Sequence, residues 1–97
     1  MRSVYLVAYD ISCPKRYRKI YPIMRGYGDA LQYSVFRAEL TDTELHSLKE
    51  LLWPLLNHDE DRVMIVDLGP IEGRGDSCVE FWGDPIVTPH ERSATIL

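Results

Sequence analysis

Asp10 is the residue whose type and position are best suited to chemistry. It follows the apolar run at positions 4–9, and no other acidic side chain occurs before Asp29. A carboxylate is a hard oxygen ligand for Mg²⁺, which protein sites bind through one or two carboxylates together with phosphates. An ion held there could activate water and stabilise the leaving oxygen in phosphodiester cleavage. Asp10 could instead form a turn or cap the next helix, and position alone favours that commoner role.

Basic and aromatic side chains around Asp10 could bind a nucleic acid. Phosphates could be held by Lys15, Arg16, Arg18 and Lys19, with Arg25 further along. A solvated helix face would give the same charge pattern. Bases could stack on Tyr9, Tyr17, Tyr33 and Phe36. Aromatic residues of this kind are more often part of a core, so both interpretations stay open at this point.

Other groups with metal-ligand chemistry lack a suitable spacing. The cluster Asp59-Glu60-Asp61 matches no calcium-loop pattern, so we expect a solvated loop. Cys13 and Cys78 are too few and too far apart for a disulfide framework or a metal site, which predicts free thiols. One carboxylate is little for a metal centre, but a two-fold dimer that joins two Asp10 side chains would supply a pair.

Charge is distributed unevenly along this chain of 97 residues, which is the size of one small domain. The net charge is −4, yet residues 1–40 carry seven basic and three acidic side chains, against four and twelve in residues 41–97. Such asymmetry between halves is a hint of contact with nucleic acid. The chain has no run long enough for a membrane span and no signal-peptide pattern, so we expect a cytoplasmic protein.

The first half of the chain predicts a strand, a helix and a strand-rich segment. The strand covers 3–9, and the helix covers 14–27 with Pro14 at its first turn. Its apolar arc consists of Tyr17, Ile20, Tyr21, Met24 and Tyr27. Pro22 predicts a kink or a break near 18–22, with the proline on the solvent side. Residues 30–40 form either one bent strand or two strands that meet near Ser34.

The second half predicts a helix, a strand and a late extra strand. Thr41 and Glu44 match a capping box, and leucines at helical spacing continue the helix to about residue 56. Strands are expected at 62–68 and, at an edge, 79–82. This order favours an α+β sandwich of the ferredoxin-like βαββαβ type, an antiparallel sheet with two helices on one face plus a C-terminal strand. Residues 1–82 form the domain, and the tail at 83–97 pairs with a partner subunit or is partly disordered.

Several blocks together resemble the CRISPR-associated protein two family, the small proteins of CRISPR spacer acquisition. The blocks span residues 3–68 and are Tyr9-Asp10-Ile11-Ser12, Lys15-Arg16, Arg18-Lys19, Gly26-Tyr27-Gly28 and Gln32-Tyr33-Ser34-Val35-Phe36. The resemblance implies a ferredoxin-like homodimer whose late strand joins the partner's sheet. It further implies that Asp10 of each subunit faces the dimer cleft and binds a divalent metal, usually Mg²⁺.

The resemblance also implies two functions. Family members are metal-dependent endonucleases that act on single-stranded RNA or double-stranded DNA, and they also bridge the CRISPR integrase as a scaffold for duplex DNA. The positions that fall near the cleft are Tyr9, Arg16, Arg18, Ser34 and Phe36. Members often carry acidic residues where this chain has Cys13-Pro14, which leaves Asp10 as the only acid there. Pro22 departs from the unbroken family helix.

Overall fold

A single antiparallel sheet with two helices forms the fold. The computed structural model describes residues 1–75 and 77–83. In chain order the elements are β1 (Ser3–Asp10), α1 (Pro14–Tyr27), β2 (Asp29–Gln32), β3 (Val35–Leu40), α2 (Asp42–Leu52) and β4 (Arg62–Pro70). The strand order is β2-β3-β1-β4, and every neighbouring pair is antiparallel. The predicted βαββαβ order is confirmed and fits the ferredoxin-like fold.

Alternation along β1 separates a helix-covered face from a second face. Tyr5, Val7 and Tyr9 are buried and pack in the main core, which also includes Ile20 and Met24 of α1 and Leu48 and Leu52 of α2. Because successive strand residues point to opposite sides, the residues between them face away from the helices. Burial of the first set supplies the core, and the second set is available for other contacts.

The second face carries apolar side chains that the described helices do not cover. Leu6 lies opposite Val66, and Ala8 lies opposite Met64, so all four share this face. We call these four residues the open face. Met64 is 59% exposed. At the far end of the same side, Gly75 lies so close to Val4 that a Cβ on it would stand 2.8 Å from Val4 Cγ2.

Helix α1 is continuous through Pro22, so the predicted break at 18–22 is wrong. Pro14 stands in its first turn, and Pro22 lies inside the helix with an exposed side chain. A proline there removes the hydrogen bond to the Arg18 carbonyl. On the solvent side water can bond to that carbonyl, which explains why the helix continues. The solvent-facing position of Pro22 is confirmed.

The segment at 30–40 divides into two strands, which is one of the two arrangements that its sequence predicts. Strands β2 and β3 are joined by Tyr33 and Ser34. The Tyr17 hydroxyl donates to the Tyr33 carbonyl at 2.9 Å, and the Tyr9 N–H donates to the Ser34 carbonyl at 3.0 Å. These bonds fix the turn against α1 and against the C-terminal end of β1.

Helix α2 begins at the predicted capping box. Glu44 N–H donates to Thr41 Oγ1, and the Thr41 N–H donates to the Glu44 carboxylate. The helix ends at Leu52 rather than near residue 56, and a 3₁₀ turn at Trp53–Leu55 follows. Pro54 lacks the N–H that another α-helical turn requires, so the chain tightens there.

Residues 79–82 do not form the predicted edge strand. Phe81 is 58% and Trp82 87% exposed. A strand needs a neighbour for its backbone bonds, and within the described chain nothing pairs with these residues. The prediction for the tail at 83–97 falls, beyond Gly83, outside the described residues. In the described part of the chain, no helix is long and apolar enough to cross a membrane.

Candidate nucleic-acid and metal site

Asp10 lies exposed at the end of β1, directly opposite Arg62 at the start of β4. The N-cap of α1 is Cys13, and the helix has no side-chain cap. The alternative that Asp10 caps this helix is therefore wrong. The Asp10 carboxylate makes no hydrogen bond or ion pair with any residue that the structure describes, so both of its oxygens are available to a ligand.

An open groove of about 610 Å³ runs past Asp10. Its lining comes from the last residues of β1 and the first residues of β4, including Ala8, Arg62 and Met64. The groove is continuous with the open face, because Ala8 and Met64 belong to both. A second copy of the chain packed on that face would therefore lie next to Asp10.

Asp61, predicted to lie in a solvated loop, is instead the most buried charged group of this region. Its side chain is 0% exposed. The Arg16 guanidinium donates to both carboxylate oxygens, from Nε at 2.7 Å and from Nη2 at 3.0 Å. The backbone N–H groups of Asn57 and Ser12 also donate to it, at 2.9 and 3.2 Å. The carboxylate thereby joins the start of α1 to the loop before β4.

The charges of this pair stabilise each other. The hydrogen bonds from Arg16 hold the pKa of the Asp61 carboxyl well below its usual range, against the opposing effect of burial. The bond to Asp61 likewise raises the pKa of Arg16. Arg16 also bonds Glu60 Oε1 at 3.1 Å. Arg16 was predicted to bind phosphate, but here its donors are occupied within the chain.

Two predicted base-stacking residues are core residues. Phe36 is 0% and Tyr9 is 5% exposed, and their rings stack with centroids 6.0 Å apart. Burial, aided by Tyr17, raises the pKa of Tyr9. The Tyr9 hydroxyl has no hydrogen-bond partner within the described chain. These two rings cannot stack on bases in this conformation, because the helices cover them. Sequence alternation did not show which face of each strand they occupy.

The remaining predicted contacts are accessible to different degrees. Lys15, Arg18 and Lys19 are exposed on α1, and Ser34 is half-buried at the β2–β3 turn. Tyr33 beside it is 76% exposed. No ion pair occupies the three cations within residues 1–75 and 77–83, so their role as phosphate ligands stays a prediction.

Cys13 also belongs to this end of the molecule, where it precedes the first turn of α1. Its thiol is free, as is that of Cys78, which confirms the prediction. Hydrogen bonds from the backbone N–H groups of Arg16 and Lys15 lower the pKa of the Cys13 thiol. Cys13 thus adds a polarised group three positions after Asp10.

Arg62 and Asp61 are the residues of this site that sequence reasoning missed. The usable signal for Arg62 was topological. An antiparallel β1–β4 pair places the end of the first strand beside the start of the last. For Asp61 no local signal exists, because its partner Arg16 is 45 positions away.

The chemistry of the site suits a hard cation shared between subunits. Among the described residues no group of three or more His, Cys, Asp or Glu side chains could hold a metal. One free carboxylate with water ligands fits Mg²⁺, which usually keeps several waters. Two copies of Asp10 would fit it better.

Comparisons with known proteins agree with this arrangement. Residues 2–72 match the family model described as "CRISPR associated protein Cas2". The chain is 40% identical to a CRISPR-associated endoribonuclease Cas2 of Rhodospirillum rubrum over 96% of its own length and 89% of the relative's. It is 39% identical to a CRISPR-associated endoribonuclease Cas2 of Geobacter sulfurreducens, over 74% and 76% of the two chains.

Solved structures share the fold. A crystal structure of a hypothetical protein from Thermus thermophilus superposes with a TM-score of 0.76 at 28% identity, covering 90% of this chain and 98% of the other. A crystal structure of Streptococcus pyogenes Cas2 at pH 6.5 gives a TM-score of 0.72 at 28% identity, over 82% and 99% of the two chains.

Proposed function

The chain belongs to the Cas2 family of CRISPR-associated proteins, and we propose that it is a metal-dependent endonuclease of spacer acquisition that works as a homodimer. The observation that carries the proposal is the free, exposed carboxylate of Asp10 at the edge of an uncovered apolar face. The relatives from Rhodospirillum rubrum and Geobacter sulfurreducens are named endoribonucleases. Phosphodiester hydrolysis is the chemistry that such a carboxylate supports with a divalent ion.

The open face supports the homodimer. Monomeric proteins rarely leave a contiguous apolar sheet face in water, and a second copy would cover Leu6 and Met64 with the same residues. Because the groove beside Asp10 is continuous with this face, a two-fold axis there would bring two Asp10 side chains together. The exposed edge of β4 and the exposed Phe81 and Trp82 offer additional surface to the partner subunit.

Mg²⁺ or another divalent cation bound at Asp10 would supply an activated water and charge stabilisation for the leaving oxygen. The residues of the chain bind and orient the substrate. Lys15, Arg18 and Lys19 hold backbone phosphates from the exposed side of α1. Arg16 and Asp61 keep the start of α1 fixed against the loop that precedes β4. Nucleic acid is the substrate, and the proposal places the reaction in the cytoplasm.

A cleavage assay tests the proposal. Wild type and Asp10→Asn are purified identically and incubated with single-stranded RNA and duplex DNA, with Mg²⁺ or with EDTA. We expect the mutant to lose at least about 100-fold in rate, because it loses the metal ligand. Asp59→Asn, which changes an exposed loop carboxylate, serves as the matched control and should cut at the wild-type rate. Equal cleavage by Asp10→Asn would refute the role of Asp10.

A second function is a dimeric scaffold that binds duplex DNA and bridges the CRISPR integrase without catalysis. It is favoured by the absence, within the described residues, of a metal site with three protein ligands. Spacer integration in cells distinguishes the two functions. If Asp10→Asn supports integration at the wild-type frequency, the scaffold is sufficient for acquisition. A loss of integration with retained DNA binding would instead show that Asp10 chemistry is required.

A further inference from the structure

Arg62 is the cation nearest to Asp10 in the sheet register. The two residues are the last facing pair of the antiparallel ladder between β1 and β4. Directly opposite residues of such a ladder have Cβ atoms about 4.5–5.5 Å apart and project from the same face. Both side chains are exposed and both line the open groove. Positive and negative charge therefore share one wall of the site.

The Arg62 guanidinium is also unused inside the protomer. No hydrogen bond or ion pair joins it to Asp10, or to any other residue of the described chain. This distinguishes it from Arg16, whose guanidinium is bonded to Asp61 and Glu60. It further differs from Arg2, which is bonded to Glu44. Of these three arginines, only Arg62 presents its donors to the groove.

The backbone beneath Arg62 is held in place by its neighbour. Asp61 is fully buried and accepts hydrogen bonds from Arg16, Asn57 and Ser12. The residue before Arg62 is thus bonded both to α1 and to the connector that follows Asp10. This fixes the position from which the Arg62 side chain extends, while the side chain itself remains free.

We propose that Arg62 binds the substrate phosphate beside Asp10, an inference that rests on the proposed nuclease function. A guanidinium presents its donors in a planar fork that matches two phosphate oxygens. Arg62 would hold the phosphate in the groove while Asp10 holds the cation. In a homodimer the two Asp10 and two Arg62 side chains would bring equal numbers of acidic and basic groups to the cleft.

The proposal predicts effects of opposite sign on the two ligands. Arg62 repels a divalent cation at Asp10 and attracts a phosphate. Arg62→Gln should therefore bind Mg²⁺ roughly two- to five-fold more tightly, measured by calorimetry without nucleic acid. The same variant should bind a single-stranded oligonucleotide in EDTA more weakly. Its plot of log K against log salt should be shallower by about one unit for each phosphate that position 62 no longer neutralises.

The matched control is Arg74→Gln. Arg74 is an exposed arginine in the loop after β4, at the opposite end of the strand from Asp10. It should leave Mg²⁺ affinity, oligonucleotide affinity and the salt slope at wild-type values. Thermal unfolding of both variants checks that the fold is kept. Arg62→Lys, which retains the charge without the fork, should recover Mg²⁺ affinity to the wild-type value and recover oligonucleotide binding only in part.

Two outcomes would overturn the proposal. One is an oligonucleotide affinity and salt slope of Arg62→Gln equal to those of Arg74→Gln. The other is weaker Mg²⁺ binding by Arg62→Gln with unfolding unchanged, which would indicate that Arg62 supports the metal site rather than the substrate. Both readouts are independent of cleavage. They therefore judge Arg62 even if Asp10→Asn cleaves normally and the nuclease function fails.

Discussion

Single residues at the Asp10 end of the molecule divide the positive charge between two roles. Arg16 neutralises the buried Asp61, and Lys15, Arg18 and Lys19 face solvent on α1. Arg62 faces the groove from β4. A buried carboxylate without its arginine would carry a large desolvation cost. The Arg16–Asp61 pair therefore serves the structure, and the exposed cations are left for substrate.

The Arg16–Asp61 pair predicts a pH-dependent contribution to stability. The folded pKa of Asp61 is depressed, so its contribution is complete above the unfolded pKa of about 3.8 and declines as pH falls below that value. Asp61→Asn should be clearly less stable than wild type at pH 7, and the difference should shrink at pH 3. Urea unfolding at both pH values measures it.

The control for this prediction is Asp59→Asn, in the same loop but exposed. It should change the free energy of unfolding by less than about 0.5 kcal/mol at either pH. A difference between Asp61→Asn and wild type that stays constant from pH 7 to pH 3 would contradict the proposed ionic contribution of Asp61.

Residue roles that depend on local pattern could be predicted from the sequence, and roles that depend on distant partners could not. The capping box at Thr41 and the exposed side of Pro22 follow from neighbours a few positions away. The buried state of Tyr9 and Phe36 depends on which strand face the helices cover. The burial of Asp61 depends on Arg16, at a separation that no local pattern reveals.

Elements of secondary structure position the site through their ends. The C-terminal end of β1, the β2–β3 turn, the start of α1 and the start of β4 all meet there. Hydrophobic periodicity predicted these elements well, because each buries one face. It did not predict that residues 79–82 lack a strand, since pairing needs a neighbour that one chain does not supply.

Helix α1 carries a removable cost at Pro22. Replacing this exposed proline by alanine restores a donor for the Arg18 carbonyl and removes the ring. Pro22→Ala should raise the free energy of unfolding by about 1–3 kcal/mol, measured by urea denaturation. Lys19→Ala, on the exposed side of the same helix, should change it by less than about 0.5 kcal/mol. A destabilised Pro22→Ala would show that the helix is adapted to the proline.

The whole molecule is incomplete as one copy. Its open face is apolar, and its acidic site has one carboxylate per chain. A homodimer through this face answers both deficits with one symmetry operation. The sequence alone indicated a need for pairing through the resemblance and through the single Asp10, whereas the location of the apolar face required the strand register.

Charge on the open face should prevent dimer formation. Met64→Glu places a carboxylate where the partner's apolar residues would lie, at a cost of roughly 3 kcal/mol or about 100-fold in Kd. Analytical ultracentrifugation over a concentration series measures the change. Leu51→Glu, at an exposed leucine of α2, is the control and should dimerise as wild type. An unchanged Met64→Glu dimer would place the interface elsewhere.

Mixed dimers test the pairing of Asp10 most directly. Wild type and Asp10→Asn chains are refolded together in known ratios, and Mg²⁺-dependent RNA cleavage is measured per total protein. If the site requires Asp10 from both subunits, activity follows the square of the wild-type fraction, so an equal mixture retains about one quarter of the wild-type rate. Activity that falls linearly, with about one half of the rate at equal mixture, would contradict a shared site.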